Sequence, residues 1–517
     1  MRIKEKLQHI IKNGLLQLNI DKKTSEIIIS YSIEEPNSFY TDIAITIAKD
    51  LHKKTEEVVG MLKKIIHDEM IKEINIIHPG TLNIVIKKSY FLSEISEIIE
   101  KNIDYGKSNI GESRKINVDF INVDFTEGLS QDELFNAIYG DNLSRILKFN
   151  GFEVEKEFYF NDTLNKLEEL ADITKEKYNY LCSPKASLGI NIDNIRDTAN
   201  NIYTLYGNNK INEGIGYFKK EEINTLLDKR KRELDKYRIN FDIISNEQSL
   251  YDKGLVDLLL DKLNRKGYTY FNNDSLWVMT TEYKDSEDRV IIKSDGTYTN
   301  LLSQAAYYMD KLNRKYDGII SVYNFDNSIN KNTIKSVLTI LEQDINKVAL
   351  KILPKTNLSN GNNYLDLSVN EIRYLFSKQR IADEINIIFD RINKNDNCLE
   401  YIENTNIIIH QILKNYRKKI TKVNDYSTIN NPLAYIMVNK LIEFEDIVIM
   451  SGLKQLPHLI CDYLYELCNL FNEYYTSEKI ITEDEVYTNE RLNLLLAIKI
   501  VINNAFDLIG IIPKEDM

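Results

Sequence analysis

Residues 115–145 read KINVDFINVDFTEGLSQDELFNAIYGDNLSR. The first part, I-N-V-D-F-I-N-V, is an apolar run with alternating character; it breaks at Glu127-Gly128, and apolar spacing suited to a helix follows. A strand that turns directly into a helix is where an α/β fold usually holds a phosphate, because unpaired backbone N–H groups and the helix dipole point at the turn. Ser130, Gln131, Asp132 and Glu133 stand at that turn, and what they can do there decides the functional reading.

Working outward, the chain divides into three regions. Residues 1–112 mix helical periodicity (TDIAITIAKDLHKKTEEVVGMLKKIIHDEM) with strand-like pieces (SEIIISYSI, LNIVIKK), which reads as a small α+β domain. Residues 113–378 alternate strands and helices, as in EVEKEFYFND and DGIISVYNF, the pattern of a doubly wound parallel sheet of the Rossmann type. Residues 379–517 are almost wholly helical in pattern (IIIHQILKNYRKK, NERLNLLLAIKIVINNAFDLIG), so an α-helical bundle is expected.

Composition narrows the class. At 517 residues the chain exceeds one ordinary core. Its 43% hydrophobic and 28% charged content describes globular protein. The longest apolar stretches fall far short of the ~20 residues a membrane span needs, and MRIKEKLQHIIKNGLLQL interleaves charge at helical spacing, unlike a signal peptide. A cytoplasmic monomer is expected. Four cysteines, at 182, 398, 461 and 468, form no CxxC pair and read as small buried hydrophobes, with no metal site expected. The net charge of −12 argues against a non-specific nucleic-acid coat, while RNA binding needs only a local basic face.

Several ordered stretches together resemble the class I arginyl-tRNA synthetase family: NSFYTDIAITIAKDL and PGTLNIVI near the start, GFEVEKEFYFND, INFDIISNEQSLYDKG and EDRVIIKSDGTYTNLLSQAAYYMDKL in the middle, and LPHLICDYLYELCNLFNEYY with AFDLIGIIPKEDM at the end. The resemblance implies a tRNA-contacting first domain, a Rossmann-like catalytic domain and an anticodon-binding bundle. It implies tRNA as partner and, if the chain is an enzyme, ATP as cosubstrate.

The family signature at the opening turn reads Asn-Pro-Thr-Gly-Pro-Leu-His-x-Gly-His. The eighteen-residue frame here, DFTEGLSQDELFNAIYGD, keeps Thr126, Leu129, Ala137, Tyr139, Gly140 and Asp141 in register, but sets Ser130 and Glu133 where the resemblance places the two histidines and Asp132 at the glycine. In such a site the imidazoles stabilise charge developing on the triphosphate. Two acidic side chains are expected to repel it. All six histidines lie at 9, 52, 67, 78, 410 and 458, so the central region has none in any register.

Other signatures change in the same direction. Lys-Met-Ser-Lys falls on Asn357, Leu358, Ser359 and Asn360, with Lys351 or Lys355 as substitute cations. Of the adenine-side motif only Asp326 remains, in NFDNSI. In the segment that reads the substrate guanidinium, Asn300 and Gln304 replace the family's residues and Tyr307 is kept; a buried guanidinium prefers a carboxylate. Candidate pocket residues are therefore Asp124, Thr126, Tyr298, Gln304, Tyr307 and Asp326. Candidate RNA contacts are Arg417, Lys418, Lys419 and Lys422 of RKKITK, beside the bundle.

Structural explanations stand next to these. QDELF suits an ordinary helix start with acidic residues in the first turn. KRKRELDKYR at 229–238 suits a solvated helix face as well as an RNA backbone track. The balance favours an arginyl-tRNA synthetase-like protein that binds tRNA or a tRNA-like RNA with aminoacylation lost or strongly impaired; a protein partner is a further option. The alternative is an active divergent aminoacyl-tRNA ligase, or an amino-acid activating enzyme, with a rearranged site.

Overall fold

The computed structural model describes all residues except 1–2, 32–34, 78–79, 124–127, 184–195, 325–330, 355–366, 382–397, 424 and 516–517. Two compact units emerge: one of Met1–Ser108, Ile392–Lys454 and His458–Met517, the other of Asn109–Arg391 with Gln455–Pro457.

The first unit has an antiparallel sheet of β1 (Ser30–Tyr31), β2 (Ser38–Thr41), β3 (Ile71–Ile77) and β4 (Thr81–Ile86) in the order β1-β2-β4-β3. Its longest helices are Cys398–Asn415, Pro432–Leu453, His458–Ser477 and Glu485–Leu508. The N-terminal and C-terminal segments are bonded to each other. Asn504 Nδ2 donates to the carbonyls of Asn102 and Tyr105 at 2.9 and 3.1 Å, and the Tyr105 hydroxyl donates to Leu441 O at 3.2 Å.

The second unit is built on β5 (Lys115–Val123), β6 (Glu153–Phe160), β7 (Ile243–Asn246), β11 (Gly318–Asn324) and β12 (Val348–Leu353), all parallel, in the order β12-β11-β5-β6-β7. Numbered within this sheet along the chain, the order is 5-4-1-2-3, the doubly wound arrangement. A separate antiparallel sheet of β8 (Thr269–Asn272), β9 (Ser275–Val278) and β10 (Arg289–Ile292) branches off between β7 and β11. Asn273 and Asp274 both have positive φ, as the tight β8–β9 turn requires.

The alternation in β5 does not mark a solvent face. Val118 and Phe120 are buried, and so are Asn117 and Asp119. The polar pair is bonded inside the protein: Asn117 Nδ2 donates to Glu157 Oε2 at 2.7 Å, and Asp119 Oδ2 accepts from Lys311 and Ser321. Arg314 Nη2 in turn pairs with Glu157 Oε1 at 3.0 Å. Helix Gln131–Phe149 lies directly on this strand, because Gly140 lets it approach; a Cβ there would stand 2.2 Å from Phe120 Cγ.

Candidate active site

The sheet changes winding direction between β5 and β11, so their C-terminal ends border the crevice where such folds take ligands. Asp124, Thr126 and Asp326, together with Lys355, Asn357 and Asn360, lie outside the described residues. Lys351, on β12, is half-buried, and its pKa is lowered by burial first and by Lys331 second.

At the helix start the chain closes on itself. Ser130 is the N-cap of Gln131–Phe149; its Oγ accepts from Glu133 N at 3.3 Å, while Ser130 N donates to Glu133 Oε2 at 2.6 Å, a reciprocal capping box. Glu133 Oε1 faces Arg230 Nη1 at 3.3 Å, with Arg230 only 1% exposed. Glu133 is therefore not the uncompensated anion that the sequence leads one to expect, repelling a phosphate with its full charge. Its charge is met by Arg230, and the capping box occupies two of the backbone donors an anion would need. Arg230 also corrects the reading of 229–238 as wholly a surface face: Lys229, Lys231 and Arg232 are exposed, but Arg230 turns inward.

Asp141, in register with the family signature, is a structural hub. Fully buried, it pairs with Arg373 Nη2 at 2.7 Å, Arg145 Nε at 2.8 Å and Lys156 Nζ at 3.0 Å. Burial alone would raise its pKa, but Arg373, Arg145 and Lys156 outweigh burial and hold the carboxyl at about 2.

A second cluster forms at the end of β7. Glu247 follows the strand directly and is buried; it accepts from the Tyr159 hydroxyl at 3.1 Å and from Thr163 Oγ1 at 3.2 Å. Burial raises its pKa, partly offset by hydrogen bonds from Tyr159, Ser303 and Thr163. Two of the sequence candidates pack on the tyrosines next to it. The Tyr307 ring packs on Tyr159 with centroids 4.2 Å apart, and Tyr298 stacks on Tyr251, four residues beyond Glu247, at 6.4 Å. Gln304 is half-buried on the helix that carries Tyr307, and Asn300 is exposed at that helix's first position. A buried carboxylate among aromatic rings suits a cationic group. Glu247 is not singled out by the sequence, although an acid directly after a strand was the available signal.

In the first unit, the basic loop after Cys398–Asn415 is held in place. Thr421 N donates to Asn489 Oδ1 at 2.9 Å, and Asn489 and Asn493 donate back to Thr421 O. Lys418 pairs with Glu485, and Lys422 with Glu100 at 3.0 Å, all four well exposed. Arg417 and Lys419 are exposed on the same loop.

Comparison with known proteins identifies the architecture. Residues 94–351 match the model of the class I (R) tRNA synthetase catalytic domain, and residues 405–517 match the DALR anticodon binding domain. The chain belongs to the arginyl-tRNA synthetase family. It is 26% identical to the arginine–tRNA ligase of Geobacillus thermodenitrificans over 554 residues, covering 100% of this chain and 99% of the relative. With that of Bacillus subtilis the figure is 26% over 555 residues, with the same coverage. Among solved structures, Thermus thermophilus arginyl-tRNA synthetase superposes with a TM-score of 0.73 at 16% identity, covering 100% of both chains. The Plasmodium falciparum enzyme gives 0.72 at 16% identity, over 100% of this chain and 99% of that one. Family membership thus accounts for the doubly wound sheet and the helical C-terminal segment. Among the described residues, no helix is long and apolar enough to cross a membrane.

Proposed function

We propose that this chain is an arginyl-tRNA synthetase-like protein that binds tRNA or a tRNA-like RNA, with aminoacylation lost or strongly impaired. One observation carries the reading. Where the family signature sets two imidazoles at the phosphate end of the crevice, Ser130 and Glu133 are bonded to each other and Glu133 forms an ion pair with Arg230. None of the chain's histidines falls in the unit that contains the parallel sheet. Loss of a preorganised donor at developing charge costs about 3–4 kcal/mol of transition-state stabilisation per group, and a helix start already capped by its own glutamate offers no replacement.

Under this reading residues 1–112 and 379–517 supply the RNA-contacting parts and 113–378 the altered catalytic domain. Arg417, Lys418, Lys419 and Lys422 present cations on a loop fixed by Asn489 and Asn493. The exposed ion pairs of Lys418 and Lys422 are weak and open to exchange for phosphate. The expected setting is the cytoplasm.

A second reading, a divergent arginine-type ligase with a rearranged site, is favoured by Glu247, which would offer a guanidinium a buried carboxylate bonded to Tyr159 although Gln304 is neutral. Filter binding of total tRNA, run beside aminoacylation with arginine, separates the two. Salt-sensitive binding without charging supports the first reading. Charging supports the second, and neither activity removes the RNA reading altogether.

A further inference from the structure

The small sheet β8–β10 has two unlike faces. Leu276, Val278 and Ile291 are buried in one core with Leu302, Ala305 and Ala306 of helix Asn300–Asn313. On the other face the register sets Tyr270 opposite Trp277 and Trp277 opposite Val290, and all three are half-buried. The Tyr270 and Trp277 rings stack at 6.5 Å between centroids with 19° between planes.

Asp288 lies two residues before Val290 and so shares this face. Its Oδ2 accepts from the Tyr270 hydroxyl at 3.1 Å, and its Oδ1 accepts from Thr281 N at 3.1 Å and Thr281 Oγ1 at 2.7 Å. Burial acts to raise its pKa, but the Thr281 and Tyr270 donors outweigh it and keep the group below the ordinary aspartate value. Asp288 nevertheless has no ion-pair partner among the described residues: the neighbouring Arg289 is engaged by Asp285 and Glu287. Trp277 Nε1 donates to Asn272 O at 3.2 Å, so the polar edges of both rings are satisfied within the chain and their π faces are what remains to offer. Residues 269–293 hold five carboxylates and three cationic side chains. A phosphate backbone would meet repulsion here, whereas a cation gains from both the rings and the carboxylate.

We propose that this face docks a peptide segment of a partner protein by an arginine or lysine side chain, seated over Tyr270 and Trp277 and paired with Asp288. The site does not depend on the RNA reading above. Trp277 is the chain's only tryptophan, which makes it a local reporter. The experiment titrates the full-length protein with end-blocked Gly-Gly-Arg-Gly-Gly, with the same peptide bearing citrulline, and separately with tRNA, following Trp277 fluorescence. The expected result is a saturable change with the arginine peptide, and binding about tenfold weaker for citrulline and for the Asp288→Asn protein. Tyr270→Leu, which removes a ring but leaves the carboxylate, should weaken binding as well and covers the case in which Asp288→Asn fails to fold. Equal response to citrulline, binding unchanged in both variants, no response to the peptide, or a response to tRNA alone would overturn the proposal.

Discussion

Arg230 Nη1 lies 3.3 Å from Glu133 Oε1, and this buried pair joins helix Ile215–Lys236 to the first turn of helix Gln131–Phe149. Removing one partner strands the other charge in a dry site. Arg230→Met should lower stability by about 3–5 kcal/mol, while the double variant Arg230→Met/Glu133→Gln, which keeps a capping side chain, should recover most of that loss. Urea unfolding of the two variants checks both expectations; an equal loss in each would show that the pair is not what holds the turn.

Gly140 is required by its packing against β5. A Cβ at that position would stand 2.2 Å from Phe120 Cγ, so Gly140→Ala must push the helix off the strand and should cost about 1–3 kcal/mol. Trimming the neighbour in Gly140→Ala/Phe120→Val should restore part of it, as a thermal melt of the two proteins would reveal.

Asp141 sets an acid limit on the second unit. Its folded pKa of about 2 lies below the ordinary aspartate value of 3.8, so its ionised form stabilises the fold above about pH 4 and that contribution fades as pH falls toward 2. The contribution is roughly 2 kcal/mol. Asp141→Asn should be less stable at neutral pH, because Arg373, Arg145 and Lys156 lose their counter-charge. Its stability should also vary less between pH 4 and pH 2 than the parent's, as read by denaturant midpoints across that window.

The basic loop should govern the salt response of RNA binding. Replacing Arg417, Lys418, Lys419 and Lys422 by glutamine should weaken tRNA binding and flatten the slope of log K against log salt by up to about 0.9 for each phosphate no longer neutralised. An unchanged slope would move the RNA surface elsewhere.

The fold class was legible because periodicity survives divergence: the alternation of strands and helices after residue 113 and the helical spacing after 398 are core patterns, and packing enforces them. The alternation in β5 was legible as a strand but misleading about its environment. Asn117 and Asp119 look like a wet face, and only Glu157, Lys311 and Ser321, brought in from other elements, show it to be a buried polar network. Arg230 was hidden for a related reason. Within KRKR one cation resembles another, and its partner Glu133 lies nearly a hundred residues upstream. At the candidate site the loss of imidazoles could be read from composition alone, whereas Glu247 becomes conspicuous only when Tyr159 and Thr163, from another strand and the loop after it, are seen to bond it.

If the phosphate end of the crevice no longer supports adenylate formation, the chemistry fails at its first step. ATP–pyrophosphate exchange with arginine, measured with and without total tRNA, tests this most directly. Exchange should stay at background in both conditions. Exchange above background with arginine would contradict the loss of activity, and would make Glu247 a candidate part of a working site.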